Sequence, residues 1–190
     1  MTAQKDAPVI DSKEQELIAL GASIASGCLP CTRFHLRAAA SVGAAADDIA
    51  QAVKDATQVR RTATDIMAKA GGLAPADGGE AKPDAGQRTL IRELVSAGAA
   101  YAINCAPSVG AHLEAARALG ATNAQLFAAL KIACAVRDVA AQKAKAAAAA
   151  IFGVDEAHAD DEDCCSDADD TAGRSGCAPE GAGGKPCGCR

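Results

Sequence analysis

The chain of 190 residues carries 19 basic and 24 acidic side chains, a formal net charge of −5, with 2% aromatics, no tryptophan and nine cysteines. Alanine supplies about a quarter of it, a composition that favours helices packed closely through small side chains over sheets of branched and aromatic residues. The charge is unevenly placed. Residues 154–190 hold ten acidic and three basic side chains, a net of −7 that leaves the first 153 residues at +2. A near-neutral body with an acidic tail speaks against nucleic acid as a partner. The opening "MTAQKDAPVIDSKEQ" has no apolar signal region, and no apolar run reaches membrane-spanning length, so a cytoplasmic protein with no membrane partner is expected. In that compartment nine cysteines point to redox chemistry or metal binding rather than to a structural disulfide framework.

Residues 1–11 read as a loose lead-in and 12–152 as one all-helical domain. The first helix is expected from Ser12, where "SKEQ" sets Ser12 and Gln15 at capping-box spacing, to about Ser26, with Leu17, Leu20 and Ala25 on its apolar face and Gly27 ending it. A second helix begins around Cys28 with Pro30 in its first turn, where a missing N–H does no harm, and ends near Gly43. A third opens at "DDIAQAVKDA" and continues to about Ala70. The stretch "GGLAPADGGEAKPDAG" (71–86) is a Gly/Pro/Asp-rich linker, and 87–152 is helical again. Residues 153–190 lack apolar periodicity and read as a disordered acidic, Cys- and Gly-rich tail.

The second helical block repeats the first. "ELIALGASIASGCLPCTRFHLRAAASVGA" (16–44) aligns without a gap on "ELVSAGAAYAINCAPSVGAHLEAARALGA" (93–121), an offset of 77 residues. Glu16 falls on Glu93, Gly21 on Gly98, Cys28 on Cys105, Pro30 on Pro107, His35 on His112 and Gly43 on Gly120. Alanine matches are uninformative in such a chain, but these residues in one frame indicate two copies of one helical unit related by a pseudo-twofold axis. One chemically important position differs: Cys31 is matched by Ser108.

In the first copy a helical hairpin turning near Gly27 would bring Glu16 toward His35. Cys31 and His35 share a helix face at i, i+4, with Cβ atoms about 5–6 Å apart. Carboxylate, imidazole and thiol then form a relay in which Glu16 orients His35 and His35 takes the proton of Cys31, leaving the nucleophilic thiolate. Cys28 stands one helical turn before Cys31, about 5–6 Å away at Cα and within reach of a disulfide. Helix-dipole reasoning taken alone favours Cys28, nearer the helix N-terminus, as the more acidic thiol, so the residues leave the choice between the two sulfurs open.

The spacing of Glu16, Cys28, Cys31 and His35, followed by Gly43, resembles the alkylhydroperoxidase D-like group of the carboxymuconolactone decarboxylase superfamily, whose motif is Glu, eleven residues, Cys, two residues, Cys, three residues, His. The resemblance covers about 16–152. It implies an all-α fold of two such units, a trimer or other ring-like homo-oligomer, and a protein or small-molecule thiol as reductant, with no cofactor required. By position, Cys31 would attack a peroxide or disulfide, Cys28 would resolve it, and Glu16 and His35 would move protons. Two departures stand out. The best-known member has a histidine in the place of Pro30, and it carries its dithiol in the second unit rather than the first. Decarboxylases proper in the superfamily lack the CxxC pair, so lactone decarboxylation is not expected.

For the second copy, Glu93 and His112 are expected to form an inherited polar contact, and Cys105 and Cys134 to be small buried residues. Zinc cannot be completed from Cys28, Cys31 and His35 alone. The tail contributes Cys164, Cys165, Cys177, Cys187 and Cys189 beside His158 and many carboxylates, a set suited to soft ions such as Cu(I), Zn(II), Hg(II) or trivalent arsenic. It is also long enough to serve the Cys28–Cys31 pair as an exchange arm. The sequence thus supports a thiol oxidoreductase reducing hydroperoxides or disulfides, with a soft-metal or metalloid binding protein as the alternative.

Overall fold

The computed structural model describes residues 9–73 and 88–153. These form six helices: α1 (Ser12–Ala25), α2 (Leu29–Ser41), α3 (Ala46–Ala70), α4 (Leu90–Ala102), α5 (Ala106–Ala118) and α6 (Asn123–Phe152). There is no strand among the described residues. The expected helices are all present. The start of α1 is capped one residue earlier than expected: Asp11 accepts from the Glu14 N–H at 2.9 Å and the Glu14 carboxylate accepts from the Asp11 N–H at 3.0 Å. Asp and Ser are comparably good N-caps, so two overlapping capping boxes competed here and the acidic pair prevailed. At α6 the box is Thr122 with Gln125.

α1 and α4 lie against each other at the centre. α1 also packs on α2, α3 and α6, and α4 on α5, α6 and α3. Burial follows from composition. Leu17–Ala25 and Glu93–Ala102 are buried almost without a break, as befits helices surrounded on all sides. Ile18, Leu20, Leu94 and Val95 are fully enclosed, each contributing about 2 kcal/mol or more by leaving water. α3 and α6 bury only their first halves, nothing on α3 past Val59 and nothing on α6 past Val136.

The packing is reciprocal. A Cβ on Gly21 would lie 2.7 Å from Val95 Cγ1 and 3.2 Å from the Val95 carbonyl oxygen, and a Cβ on Gly98 would lie 3.1 Å from Ile18 Cγ2. The 77-residue offset exchanges Gly21 with Gly98 and Ile18 with Val95, so the contact between α1 and α4 maps onto itself. This is the twofold relation that the sequence repeat implied. Across the same centre, Arg92 of α4 binds Asp55 of α3 with both arms, at 3.0 and 2.8 Å, and Gln51 donates to Asp55 at 2.8 Å. Under the offset Asp55 corresponds to Ile132 and Arg92 to Gln15, so this buried ion pair belongs to one side of the axis alone.

The lead-in up to residue 8, the linker from 74 to 87 and the tail from 154 lie outside the described residues.

Candidate dithiol site

The turn between α1 and α2 places the sulfurs. Gly27, at φ +74°, closes α1 in a Schellman arrangement, its N–H bonding Ile24 O and the Cys28 N–H bonding Ser23 O, each at 3.1 Å. Cys28 becomes the N-cap of α2, Pro30 occupies the first turn, and Cys31 follows at the third helical position. Cys28 and Cys31 are joined in a disulfide with Cα atoms 5.3 Å apart, and the Cys31 N–H points at Cys28 Sγ at 3.3 Å. Both cysteines are 7% exposed.

One turn beyond Cys31, His35 Nδ1 meets Glu16 Oε2 of α1 at 2.8 Å. The carboxylate engages Nδ1, so Nε2 is the ring nitrogen outside this contact. The contact predicted from sequence between residues 16 and 35 is thus present, as is the sulfur pair. The edge of Phe34, an exposed aromatic, stands against the His35 ring with centroids 5.1 Å apart.

Three further residues hold this turn and were not singled out from sequence. The buried Ser23 hydroxyl donates to Leu20 O at 2.8 Å and lies 3.3 Å from Thr32 Oγ1, whose own hydroxyl donates to Cys28 O at 3.0 Å. Arg60 reaches from α3 to bond Ile24 O at 2.8 Å, close enough to Gly27 that a Cβ there would be 3.3 Å from its guanidinium. A signal for Arg60 did exist: carried past Gly43, the 77-residue offset sets Arg60 on Arg137. Arg137 does the equivalent work in the second repeat, donating to Asn104 Oδ1 at 3.1 Å and lying over Tyr101 at 5.0 Å. Asn104, at φ +56°, takes the place of Gly27. Asparagine tolerates this left-handed conformation better than most residues.

The second repeat keeps the acid–imidazole pair. His112 Nδ1 meets Glu93 Oε2 at 2.8 Å, and Arg88 lies 3.5 Å from the other carboxylate oxygen. Glu93 is 4% exposed, a burial that charge tolerates only with such partners. Where the first repeat has a disulfide, Cys105 Sγ donates to Ser108 Oγ at 3.1 Å. Cys105 is buried as expected. Cys134 is not: it is half-buried on α6, its sulfur 3.7 Å from Asp138 Oδ2 and 3.8 Å from an Arg137 nitrogen. The cause is the face it occupies: the stripe that α6 turns to the core is Leu126, Ala129, Ala133 and Val136, and Cys134 lies beside it.

A cavity of about 130 Å³ lies between α1, α3 and α4, lined in part by Asp48, Gln51, Asp55 and Arg92. None of the dithiol residues lines it, and its polar wall is already engaged in the Asp55–Arg92 pair. Among the described residues no group of three or more His, Cys, Asp or Glu side chains is placed to hold a metal ion. Cys164, Cys165, Cys177, Cys187 and Cys189 lie outside the described residues. No described helix is long and apolar enough to cross a membrane.

Six described helices in two reciprocal repeats, each with a glutamate–histidine pair beside a cysteine N-cap, define a tandem-repeat helical protein with a bonded cysteine pair in its first repeat. A family model described as the carboxymuconolactone decarboxylase family matches residues 2–64 and 88–151, one match per repeat. The match covers well over half of the chain, which belongs to that family. Comparison with the curated proteins gives no match.

Proposed function

We propose that the first repeat is a thiol-dependent oxidoreductase site that reduces hydroperoxides or disulfides through Cys28 and Cys31. The observation that carries this reading is the 2.8 Å contact between Glu16 and His35 one helical turn from a cysteine pair close enough to bond. In the reduced form His35, held by Glu16, takes the Cys31 proton. The Cys31 thiolate attacks the distal oxygen of a hydroperoxide. The O–O bond breaks, the alcohol leaves with the proton from His35, and Cys31 holds a sulfenic acid. Cys28 attacks that sulfur, expelling water and closing the disulfide. A dithiol reductant, protein or small molecule, returns the pair to thiols. With a disulfide as substrate the same two sulfurs exchange in sequence, and no other cofactor is required.

We further propose a homo-oligomer, a trimer or another ring. Support comes from apolar side chains left on the surface, among them Leu29, Phe34, Phe127, Ile151 and Phe152. Sedimentation velocity reads this directly, with a monomer overturning it.

Hydroperoxide consumption with a dithiol reductant tests the main reading. It vanishes in Cys31→Ser and survives deletion of residues 154–190. Activity retained in Cys31→Ser overturns the assignment. A second reading, soft-metal or metalloid capture, is favoured by the five cysteines between 164 and 189. It requires metal that stays with the protein through gel filtration and is lost with the tail.

A further inference from the structure

The second repeat retains costly parts that the dithiol chemistry does not use. Glu93 is a carboxylate more deeply buried than Glu16, yet it keeps the same 2.8 Å contact with histidine. Ser108 occupies the position of Cys31, one helical turn before His112, and receives the Cys105 S–H at 3.1 Å. At 8% exposure, the Cys105 residue is about as accessible as Cys28 and Cys31, at 7% each. A nucleophile, a base and an orienting acid are therefore present in the second repeat. The resolving thiol is missing.

That absence decides the chemistry. In the first repeat a sulfur attached to one cysteine is displaced by the other. In the second, Ser108 cannot displace it, so an attached sulfur remains until a thiol arrives from outside. We propose that Cys105 is a one-thiol exchange site that forms a reversible mixed disulfide with a small-molecule thiol, with Ser108 passing its proton to His112 and Glu93 orienting His112. The Cys105 S–H, bonded to Ser108 Oγ, gives its proton through that hydroxyl to His112, and the sulfur attacks one sulfur of a small disulfide RS–SR. The new Cys105–SR bond forms as the RS–SR bond breaks. The departing RS⁻ takes the proton from His112 and leaves as RSH. One thiol is consumed and one produced, with no net oxidation, and excess RSH reverses the step.

The test uses the full-length chain carrying Cys28→Ser and Cys31→Ser, so that the fate of the first-repeat reading does not enter. Oxidised glutathione is the probe, and acid-quenched samples are mapped by mass spectrometry. Cys105 is expected to gain glutathione faster than the more exposed Cys134 by about tenfold. His112→Gln should remove that advantage and leave the Cys134 rate unchanged. Ser108→Cys should retain no glutathione at this site, because the introduced sulfur closes a disulfide with Cys105 and releases the adduct. Equal rates at Cys105 and Cys134, or a Cys105 rate indifferent to His112→Gln, overturn the proposal. So does a persistent adduct in Ser108→Cys.

Discussion

Gly21→Ala and Gly98→Ala are the same substitution at positions that the repeat makes equivalent, yet the structure assigns them different outcomes. An alanine in a helix interior is favoured over glycine by about 1 kcal/mol, so both variants start with that gain. At position 21 the added methyl meets Val95 Cγ1 at 2.7 Å and the Val95 carbonyl oxygen at 3.2 Å. Val95 is 2% exposed and branched at Cβ, so its methyl cannot rotate away without striking another wall, and the carbonyl belongs to helix α4 itself. Relief requires the two central helices to separate, an overpacking cost of about 1–3 kcal/mol. The net expectation is a loss of up to about 2 kcal/mol, which lowers the melting temperature by up to roughly 8 °C for a domain of this size. At position 98 the nearest atom is Ile18 Cγ2 at 3.1 Å, with Ala133 Cβ at 3.6 Å and the Ile18 carbonyl oxygen farther off at 3.8 Å. A shift of a few tenths of an ångström relieves that contact, and the propensity gain roughly cancels it, leaving the variant within about 0.5 kcal/mol of the parent. Thermal melts followed by circular dichroism read both. If Gly21→Ala melts at or above Gly98→Ala, the close approach of α1 and α4 at Val95 is not what holds the two repeats together.

Asp55→Ala leaves the largely buried Arg92 guanidinium without its carboxylate and is expected to cost about 3–5 kcal/mol; a stability loss of less than a quarter of that, read from urea denaturation, would show the pair to be dispensable. Glu16→Gln keeps a hydrogen-bond acceptor for His35 but removes its charge, and should lower the hydroperoxide or disulfide reduction rate by on the order of a hundredfold with the melting temperature nearly unchanged. Steady-state kinetics identical to the parent would detach Glu16 from the chemistry. Gly27→Ala sets a Cβ in a left-handed conformation 3.3 Å from Arg60, a cost of about 1–2 kcal/mol. Gly27→Asn should cost visibly less, since Asn104 fills the equivalent turn, and a chemical-denaturation series ranking the two the other way would contradict that account.

Much of this molecule is written locally. Capping residues, Pro30 and Pro107 in first turns, and Gly27, Gly43 and Gly120 after helix ends fix where helices start and stop, because each acts on hydrogen bonds within a few residues of itself. The gapless repeat, with Glu, Cys, Pro and His in one frame, carried the rest: two copies, one dithiol, and the pairing of residue 16 with 35 that the structure realises at 2.8 Å. What the tertiary structure alone decided depends on neighbours distant in the chain. The Asp55–Arg92 pair has no counterpart across the repeat, so no alignment of the two halves could reveal it. Arg60 serves a turn more than thirty residues earlier, visible in the sequence only as an unexplained match to Arg137. Cys134 looks like any other small residue of an alanine-rich helix. Its half-exposure is set by which face α6 turns to the core, the one carrying Leu126, Ala129, Ala133 and Val136. Local chemistry dictates backbone hydrogen bonding and so declares itself in short stretches of sequence. Burial is a property of the assembled surface, and emerges only once the helices are packed.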